Sequence, residues 1–192
     1  MTAPVASTIT EDRSWERQAE ILDAAHQVLA RDGVAALSVG RLAEELGISA
    51  AEMHAHHPGR DALLDLIAED ALEDLAAALE QAGGGLWQSA RAYRRLALHN
   101  PALYRLVTER PLPPERPARE LELRAGAALI DDLGPDLARA AWAFAHGMVE
   151  LELDRRFPAG TDLEAIWAAG VRAFERAGVG EGTNLNRAAA EG

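Results

Sequence analysis

Residues 37–64 are LSVGRLAEELGISAAEMHAHHPGRDALL, and this stretch is the most informative part of the sequence for predicting the fold. Apolar residues recur at helical spacing between a capping Ser38 and Gly47, which predicts a short helix. Ser49 begins another helix, and Glu52 lies three residues later, at the position that closes a capping box. A glycine turn between two short helices is typical of a helix-turn-helix that reads DNA, and also of an ordinary helix pair.

Helical periodicity continues on both sides of this stretch, and no alternating strand pattern of useful length occurs. Further helices are predicted over residues 14–31, 64–82, 86–98, 101–109, 118–133, 136–156 and 162–177. The triple glycine at 83–85 is the strongest candidate domain boundary. The sequence therefore predicts an all-α protein of about nine helices.

The composition of the chain excludes cysteine-based sites and favours one class of protein over others. The 192 residues carry a formal charge of -12, contain no Cys, and use Arg as their sole basic residue besides His. Without Cys there is no disulfide, thiolate metal site or cysteine nucleophile. No secretory leader or membrane-length apolar run is found, so we expect a soluble, cytoplasmic protein with no membrane partner. The absence of Lys is explained by the codon usage of a GC-rich genome.

Longer motifs carry a family resemblance. The segment ILDAAHQVLARDGVAALSVGRLAEELGIS (21–49), followed by GRDALL (59–64), resembles the N-terminal domain of the TetR (tetracycline repressor) family of transcriptional regulators. HNPALYRLV (99–107) and WAFAHGMVELELDRRF (142–157) resemble the C-terminal half of a TetR subgroup with a recurring Trp-x-x-x-His-Gly helix. The resemblance covers nearly the whole chain.

This resemblance implies an architecture and a function. The fold is a three-helix N-terminal helix-turn-helix domain plus a C-terminal helical bundle for ligand binding and dimerisation. The expected parts are a disordered arm (1–13), a DNA-binding domain (14–60), a linker helix (61–82), a ligand-binding and dimerisation domain (83–177) and a disordered tail (178–192). The protein is then a non-enzymatic, cofactor-free repressor that a small molecule releases from its operator. The alternative is a TetR-fold protein that has lost DNA binding and acts as a small-molecule binder or enzyme.

The DNA-binding residues that the resemblance implies lie on and around the second and third helices. They are Ser38, Arg41, Ser49, Ala50, Ala51, His54, His56 and Arg60. Ala50, His54 and His57 replace the basic residue, the Tyr and the Phe that are usual in the family. From Ser38 to Asp61 there are four acids and two Arg, a net charge of -2, so nonspecific attraction to phosphate is expected to be weak.

Two features of the third helix have more than one interpretation. Glu52 either closes the capping box onto Ser49 or accepts a hydrogen bond from a cytosine amino group. The imidazoles of His54, His56 and His57 suggest a metal site, but positions i, i+2 and i+3 do not share one helix face, and we predict no metal. A second hypothesis is that protonated His54 and His56 replace the missing cations at phosphate.

Aromatic and imidazole groups in the C-terminal half suggest an effector pocket, since such pockets combine apolar walls with a few polar groups. The predicted lining residues are Trp87, Tyr93, His99, Tyr104, Trp142 and His146. The alternative is that they are ordinary core residues. Five Arg between Leu86 and Arg110 suggest an anionic effector, or else they pair with acids of the fourth helix.

The last two helices are the predicted homodimer surface. An apolar stripe runs along the final helix at i, i+3, i+4, i+7, i+8 and i+11, comprising Leu163, Ile166, Trp167, Gly170, Val171 and Phe174. Small residues such as Gly147 on the preceding helix would allow close approach. The alternative is that this stripe packs into the core of a monomer.

Overall fold

The structure is a computed structural model that describes residues 5–56, 59–83, 85–110 and 118–190. Over these ranges it contains nine α-helices, one 3-10 turn (η1) and no strand. The elements are α1 (Val5–Asp32), η1 (Val34–Ala36), α2 (Val39–Leu46), α3 (Ala50–His56), α4 (Arg60–Ala82), α5 (Leu86–His99), α6 (Pro101–Glu109), α7 (Ala118–Leu133), α8 (Pro135–Leu153) and α9 (Leu163–Ala190). The predicted all-α fold with a helix-turn-helix and a C-terminal helical domain is confirmed.

Local chemistry explains where several helices begin. Ser38 Oγ accepts a hydrogen bond from Arg41 N at the start of α2, and Asp162 Oδ1 accepts one from Ala165 N at the start of α9, at 3.1 and 3.0 Å. Gly134 has a φ of 76°, a left-handed value that glycine adopts without strain, and Pro135 follows as the first residue of α8.

Both terminal helices are longer than the sequence predicted. Helix α1 begins at Val5 rather than Ser14, and α9 ends at Ala190 rather than Ala177. The backbone is therefore helical over most of the predicted disordered arm and tail. Helix α9 continues through Gly178 in its interior. A helix-interior glycine costs about 1 kcal/mol relative to Ala, which weakens a helix without forbidding it.

The first compact unit comprises the described residues within Met1–Ala71 and Ala102–Leu112. Helices α1, α2 and α3 pack around one apolar core that also includes Leu106 of α6. Its buried members are Ile21, Ala24, Ala25, Val28, Leu29, Leu37, Leu42, Ala43, Met53, Leu63, Leu64, Ile67 and Leu106. This core fixes the positions of α2 and α3 relative to α1.

The second compact unit comprises the described residues within Leu72–Pro101 and Pro113–Gly192. Helices α5, α7, α8 and α9 pack against one another, with Tyr93, Val149 and Trp167 among the buried side chains. The unit boundary falls inside α4, whereas the sequence placed it at the triple glycine. Most of α6 joins the first unit because Ala102, Leu103 and Leu106 pack on its core, a long-range contact that periodicity does not reveal.

None of the described helices combines the length and the apolar character needed to cross a membrane.

Candidate nucleic-acid interface

A tight turn joins α2 to α3. Gly47 adopts the left-handed conformation with φ 64° and ψ 29°. Its N-H donates to Glu44 O at 3.2 Å, and the N-H of Ile48 donates to Ala43 O at 3.0 Å. This is a Schellman arrangement, which satisfies the last carbonyls of α2 and reverses the chain within two residues. A side chain at position 47 would be strained, so glycine is required by the backbone.

Helix α3 is anchored by one buried residue and presents small side chains outward. Met53 is completely buried in the core of the first unit, whereas Ala50, Ala51 and His54 are exposed. Ser49 Oγ accepts a hydrogen bond from the backbone N of Glu52 at 3.1 Å, which caps the helix. The exposed face of α3 therefore begins with two small side chains, those of Ala50 and Ala51.

The Glu52 carboxylate has a partner outside its own helix. Its Oε1 lies 3.7 Å from Nη2 of Arg17 on α1. The Ser49 half of the predicted capping box is thus present, and the carboxylate contributes a weak ion pair between α1 and α3. Exposed pairs of this kind are worth at most about 1 kcal/mol.

The remaining predicted DNA contacts are distributed around this turn. Ser38 and Ser49 are exposed and cap α2 and α3, and Arg41 is partly exposed on α2. The backbone of His56 ends α3, while its side chain and the whole of His57 lie outside the described residues. The structure thus brings Ser38, Arg41 and the α3 residues to one helix-turn-helix.

Arg41 is surrounded by carboxylates. Its Nη2 lies 2.9 Å from Glu45 Oε1 and 3.6 Å from Asp32 Oδ2, and its Nη1 lies 3.7 Å from Glu44 Oε2. Arg31 shares the same partners, at 2.6 Å from Glu45 and 2.9 Å from Asp32. The hydrogen bonds that Arg31 donates to Glu45 and Asp32 raise the pKa of its guanidinium. Both guanidinium groups therefore have their charge compensated within the unit.

Arg60 is also engaged inside the first unit. Its Nε donates to Leu37 O and its Nη2 to Val34 O, both at 2.9 Å. These carbonyls belong to η1 and to the residue that ends it. The sequence predicted a DNA contact at this position and gave no indication of backbone partners 23 and 26 residues away.

Sequence reasoning missed the acids that hold Arg41. The spacing from Arg41 to Glu45 is i, i+4, which predicts one of the pairs. Asp32 is brought close by the packing of α1 against α2, a tertiary contact with no local pattern.

Two family models match the chain. Residues 21–67 match the model for bacterial regulatory proteins of the tetR family, and residues 86–174 match the tetracyclin repressor-like C-terminal domain. This chain belongs to the TetR family. The match to each model falls on the segment that carried the resemblance, so the family prediction is confirmed, whereas the Trp-x-x-x-His-Gly subgroup remains a prediction.

Individual proteins that are similar to this chain support the same family assignment. The uncharacterized HTH-type transcriptional regulator Rv0681 of Mycobacterium tuberculosis is 27% identical over 149 residues, which cover 69% of this chain and 68% of that protein. The crystal structure of SCO4313 superposes with a TM-score of 0.73 at 26% identity, covering 85% of this chain and 97% of SCO4313. A protein of unknown function from Rhodococcus sp. RHA1 gives 0.71 at 27% identity, covering 83% and 93%. The chain is thus a TetR-family DNA-binding transcriptional regulator.

The predicted effector-lining residues are divided between the two units. Tyr104 lies in the first unit, and Trp87, Tyr93, His99, Trp142 and His146 lie in the second. Tyr93 is buried, Trp87 and His146 are half-buried, and His99 is exposed. Trp142 is 52% exposed and stacks on His146 with ring centroids 5.8 Å apart. The structure thus brings Trp142 and His146 together at a surface of α8.

A polar cluster in the second unit of this TetR-family regulator joins α5, α8 and α9. Arg94 Nη2 lies 2.8 Å from Glu152 Oε2, and its Nη1 lies 3.1 Å from Glu164 Oε2. Trp167 Nε1 donates to Glu152 Oε1 at 2.5 Å. The Glu152 side chain is only 5% exposed. We call Arg94, Glu152, Glu164 and Trp167 the bundle cluster.

Two of the five arginines that suggested an anionic effector, Arg94 and Arg110, have acidic partners. Arg94 belongs to the bundle cluster, and Arg110 Nη2 lies 2.9 Å from Asp65 Oδ1 of α4 within the first unit. The hypothesis of pairing with the acids of the fourth helix is therefore confirmed for Arg110. For Arg94 the acids lie instead on α8 and α9.

Part of the predicted dimer stripe faces the protomer core. Trp167 and Val171 are 1% and 4% exposed, whereas Leu163, Ile166 and Phe174 are half-buried. Phe144 of α8 packs against Gly170, where an added Cβ would lie 2.2 Å from the ring. Trp167 and Val171 therefore belong to the core of the monomer, as the alternative interpretation of the apolar stripe predicts.

Among the described residues, no three His, Asp or Glu side chains are grouped so that they could hold a metal ion.

Proposed function

We propose that this regulator binds its operator through α2 and α3 and represses transcription until a small molecule binds its second unit. The observation that carries the proposal is the capped, exposed start of α3 above a fully buried Met53. A helix held in this way can enter the major groove with its first residues at the base edges.

The chemistry of the α3 face suits close approach rather than strong charge. Ala50 and Ala51 leave room for the backbone to approach the bases, and alanine methyls make apolar contact with thymine methyl groups. His54 lies one turn further along the same helix and can donate a hydrogen bond to a base edge or phosphate. Sequence discrimination would then come from shape and a few directed bonds.

Affinity from charge would depend on Arg41. Its carboxylate partners are exposed and its own side chain is 40% exposed, so water already weakens these ion pairs. A DNA phosphate can therefore replace Glu45 as the partner at small cost. Since few phosphates would be neutralised, operator binding would have a shallow salt dependence.

The effector-responsive part of the proposal rests on the family and on the second unit. The tetracyclin repressor-like C-terminal domain spans α5 to Phe174 in α9, including Trp87, Tyr93 and His146. Apolar walls with a few polar groups are the usual composition of a small-molecule site. We place the effector contacts among these residues, with Tyr104, His99 and Trp142 as further candidates.

The proposed assembly is a homodimer through α8 and α9. Trp142 exposes half of a large aromatic side chain, an arrangement that a second copy would cover. Helix-turn-helix dimers place two recognition helices one turn of DNA apart, so a dimer also explains how a weakly charged face gains affinity.

The decisive experiment measures binding of the full chain to labelled fragments of its own upstream DNA across salt concentrations. The test variant is Ala51→Asp, and the matched control is Ala127→Asp, an exposed alanine of α7 outside the proposed DNA and dimer surfaces. We expect the first to abolish specific binding and the second to retain it. The absence of specific binding by the unaltered protein at low salt would favour the alternative, a TetR-fold protein that no longer binds DNA.

The sign of regulation needs a second measurement. A reporter fused to the operator that the first experiment identifies is expressed with and without the regulator. We expect expression to rise when the regulator is removed. A fall in expression would identify an activator instead.

A further inference from the structure

Arg60, the first residue of α4, connects that helix to the turn before α2. One edge of its guanidinium donates two hydrogen bonds, Nε to Leu37 O and Nη2 to Val34 O, both 2.9 Å long. Leu37 is fully buried and immediately precedes Ser38, the N-cap of α2. The contact therefore lies where the chain enters the helix-turn-helix.

We propose that Arg60 is a positioning residue for operator binding, one that fixes the start of α2 relative to α4 and contributes no charge to phosphate. The proposal rests on the proposed function, because it concerns the affinity for an operator. It differs from the role that the family resemblance gave this position, which was a cation at the DNA backbone.

The geometry of the two bonds supports a positioning role. A guanidinium is planar and its donors have a fixed spacing, so two acceptors on one edge define the orientation of the whole group. Val34 O also accepts a bond from Leu37 N at 3.2 Å, which closes the η1 turn. The η1 turn is already closed by its own backbone hydrogen bond. Arg60 therefore binds the turn as one rigid unit.

Both ends of this connection are well anchored. On α4, Leu63, Leu64 and Ile67 are buried in the core of the first unit. On the other side, Leu37 and Leu42 belong to the same core. Arg60 therefore adds a directed polar link between two elements that share one apolar core.

Lysine and glutamine substitutions separate geometry from charge. Lysine keeps the positive charge but cannot donate two bonds with the fixed spacing of a guanidinium edge. Glutamine removes the charge as well. A positioning role predicts that R60K and R60Q lose similar affinity, whereas a phosphate contact predicts that R60K retains it.

The experiment is a salt titration of operator binding with the full chain, using the fragment that the unaltered protein binds. We expect R60K and R60Q to weaken binding by about five- to tenfold, with an unchanged slope of log K against log salt. Arg91→Gln, which alters an exposed arginine of α5 in the second unit, is the control and should bind normally. The fraction of each variant able to bind is measured by stoichiometric titration, so that loss of folded protein is not scored as loss of affinity.

Two results would overturn the proposal. One is an R60K affinity equal to that of the unaltered protein; the other is an R60Q slope reduced by about 0.9, the change expected for one lost phosphate contact. Binding of no fragment by the unaltered protein would refute the proposed function itself, and the positioning role with it.

Hydrogen exchange provides a test that needs no DNA and tolerates partial destabilisation. We expect the amide of Leu37 to exchange faster in R60K, while amides in the centre of α1, such as Val28, remain protected. Equal protection of Leu37 in both proteins would contradict the link between Arg60 and the turn.

Discussion

The two units use the same kind of ion pair in different surroundings. In the first unit, Arg41 is 40% exposed and its partner Glu45 is 29% exposed. In the second unit, Arg94 is 23% exposed and Glu152 only 5%. The distances are nearly equal, at 2.9 and 2.8 Å, so burial rather than length distinguishes them.

Burial decides whether such a pair can be exchanged. An exposed carboxylate that loses its arginine is solvated by water, so the pair contributes little and another anion can replace it. A buried carboxylate that loses its partners leaves an uncompensated charge in a medium of low polarity. In the proposed function Arg41 can therefore exchange its carboxylates for DNA, whereas the buried bundle cluster holds α5, α8 and α9 together.

The largest expected effect is on the bundle cluster. Glu152→Gln removes the charge that faces Arg94 and should lower the free energy of unfolding by about 2–3 kcal/mol, because Arg94 is then left partly buried without its main counter-ion. The control is Glu164→Gln, whose carboxylate is 57% exposed and pairs with the same Arg94. Glu164→Gln should lower the free energy of unfolding by less than about 1 kcal/mol. Equal losses of unfolding free energy in the two variants, measured by urea unfolding, would contradict the role given to burial.

Glycine substitutions compare the packing of the two units. Gly170→Ala places a methyl group 2.2 Å from Phe144 Cζ, so the ring must move, and we expect a loss of about 1–3 kcal/mol. Gly40→Ala in α2 meets no atom within 4 Å and should stabilise the protein by up to about 1 kcal/mol through helix propensity. Thermal unfolding measures both. A neutral Gly170→Ala would mean that Phe144 can reorient freely.

Releasing Arg41 should strengthen operator binding. Glu45→Gln removes its nearest carboxylate, at 2.9 Å, and we expect affinity to rise two- to fivefold, the range expected for an exposed pair. Glu80→Gln removes an equally peripheral charge that pairs with Arg124 in the second unit and is the control. An equal rise in both variants would indicate a general charge effect rather than release of Arg41.

The smallest expected effect is that of the exposed His54 side chain on operator binding. Because alanine cannot donate a hydrogen bond to a base edge or a phosphate, His54→Ala should weaken binding about twofold, the low end for one exposed hydrogen bond. His99→Ala, which alters an exposed histidine of the second unit, should not change the affinity. Equal affinities of the two variants would exclude a role for the His54 imidazole.

Local patterns were sufficient for most helices and for the turn. Ser38, Gly47 and Ser49 act as the cap, turn and cap that their sequence positions predict, because capping depends on groups within a few residues. The end of the last helix did not follow from a local pattern, because the helix predicted over 162–177 continues to Ala190.

Short-range periodicity and motif order were enough to predict the all-α fold, the helix-turn-helix and the TetR family. The partners of the charged and aromatic residues became known from the tertiary structure alone. Arg60 bonds to carbonyls more than 20 residues away, Asp32 reaches Arg41 across a helix contact, and Trp142 is exposed while Trp167 is buried. Such partners depend on which helix faces meet, and the packing of the whole chain sets those faces.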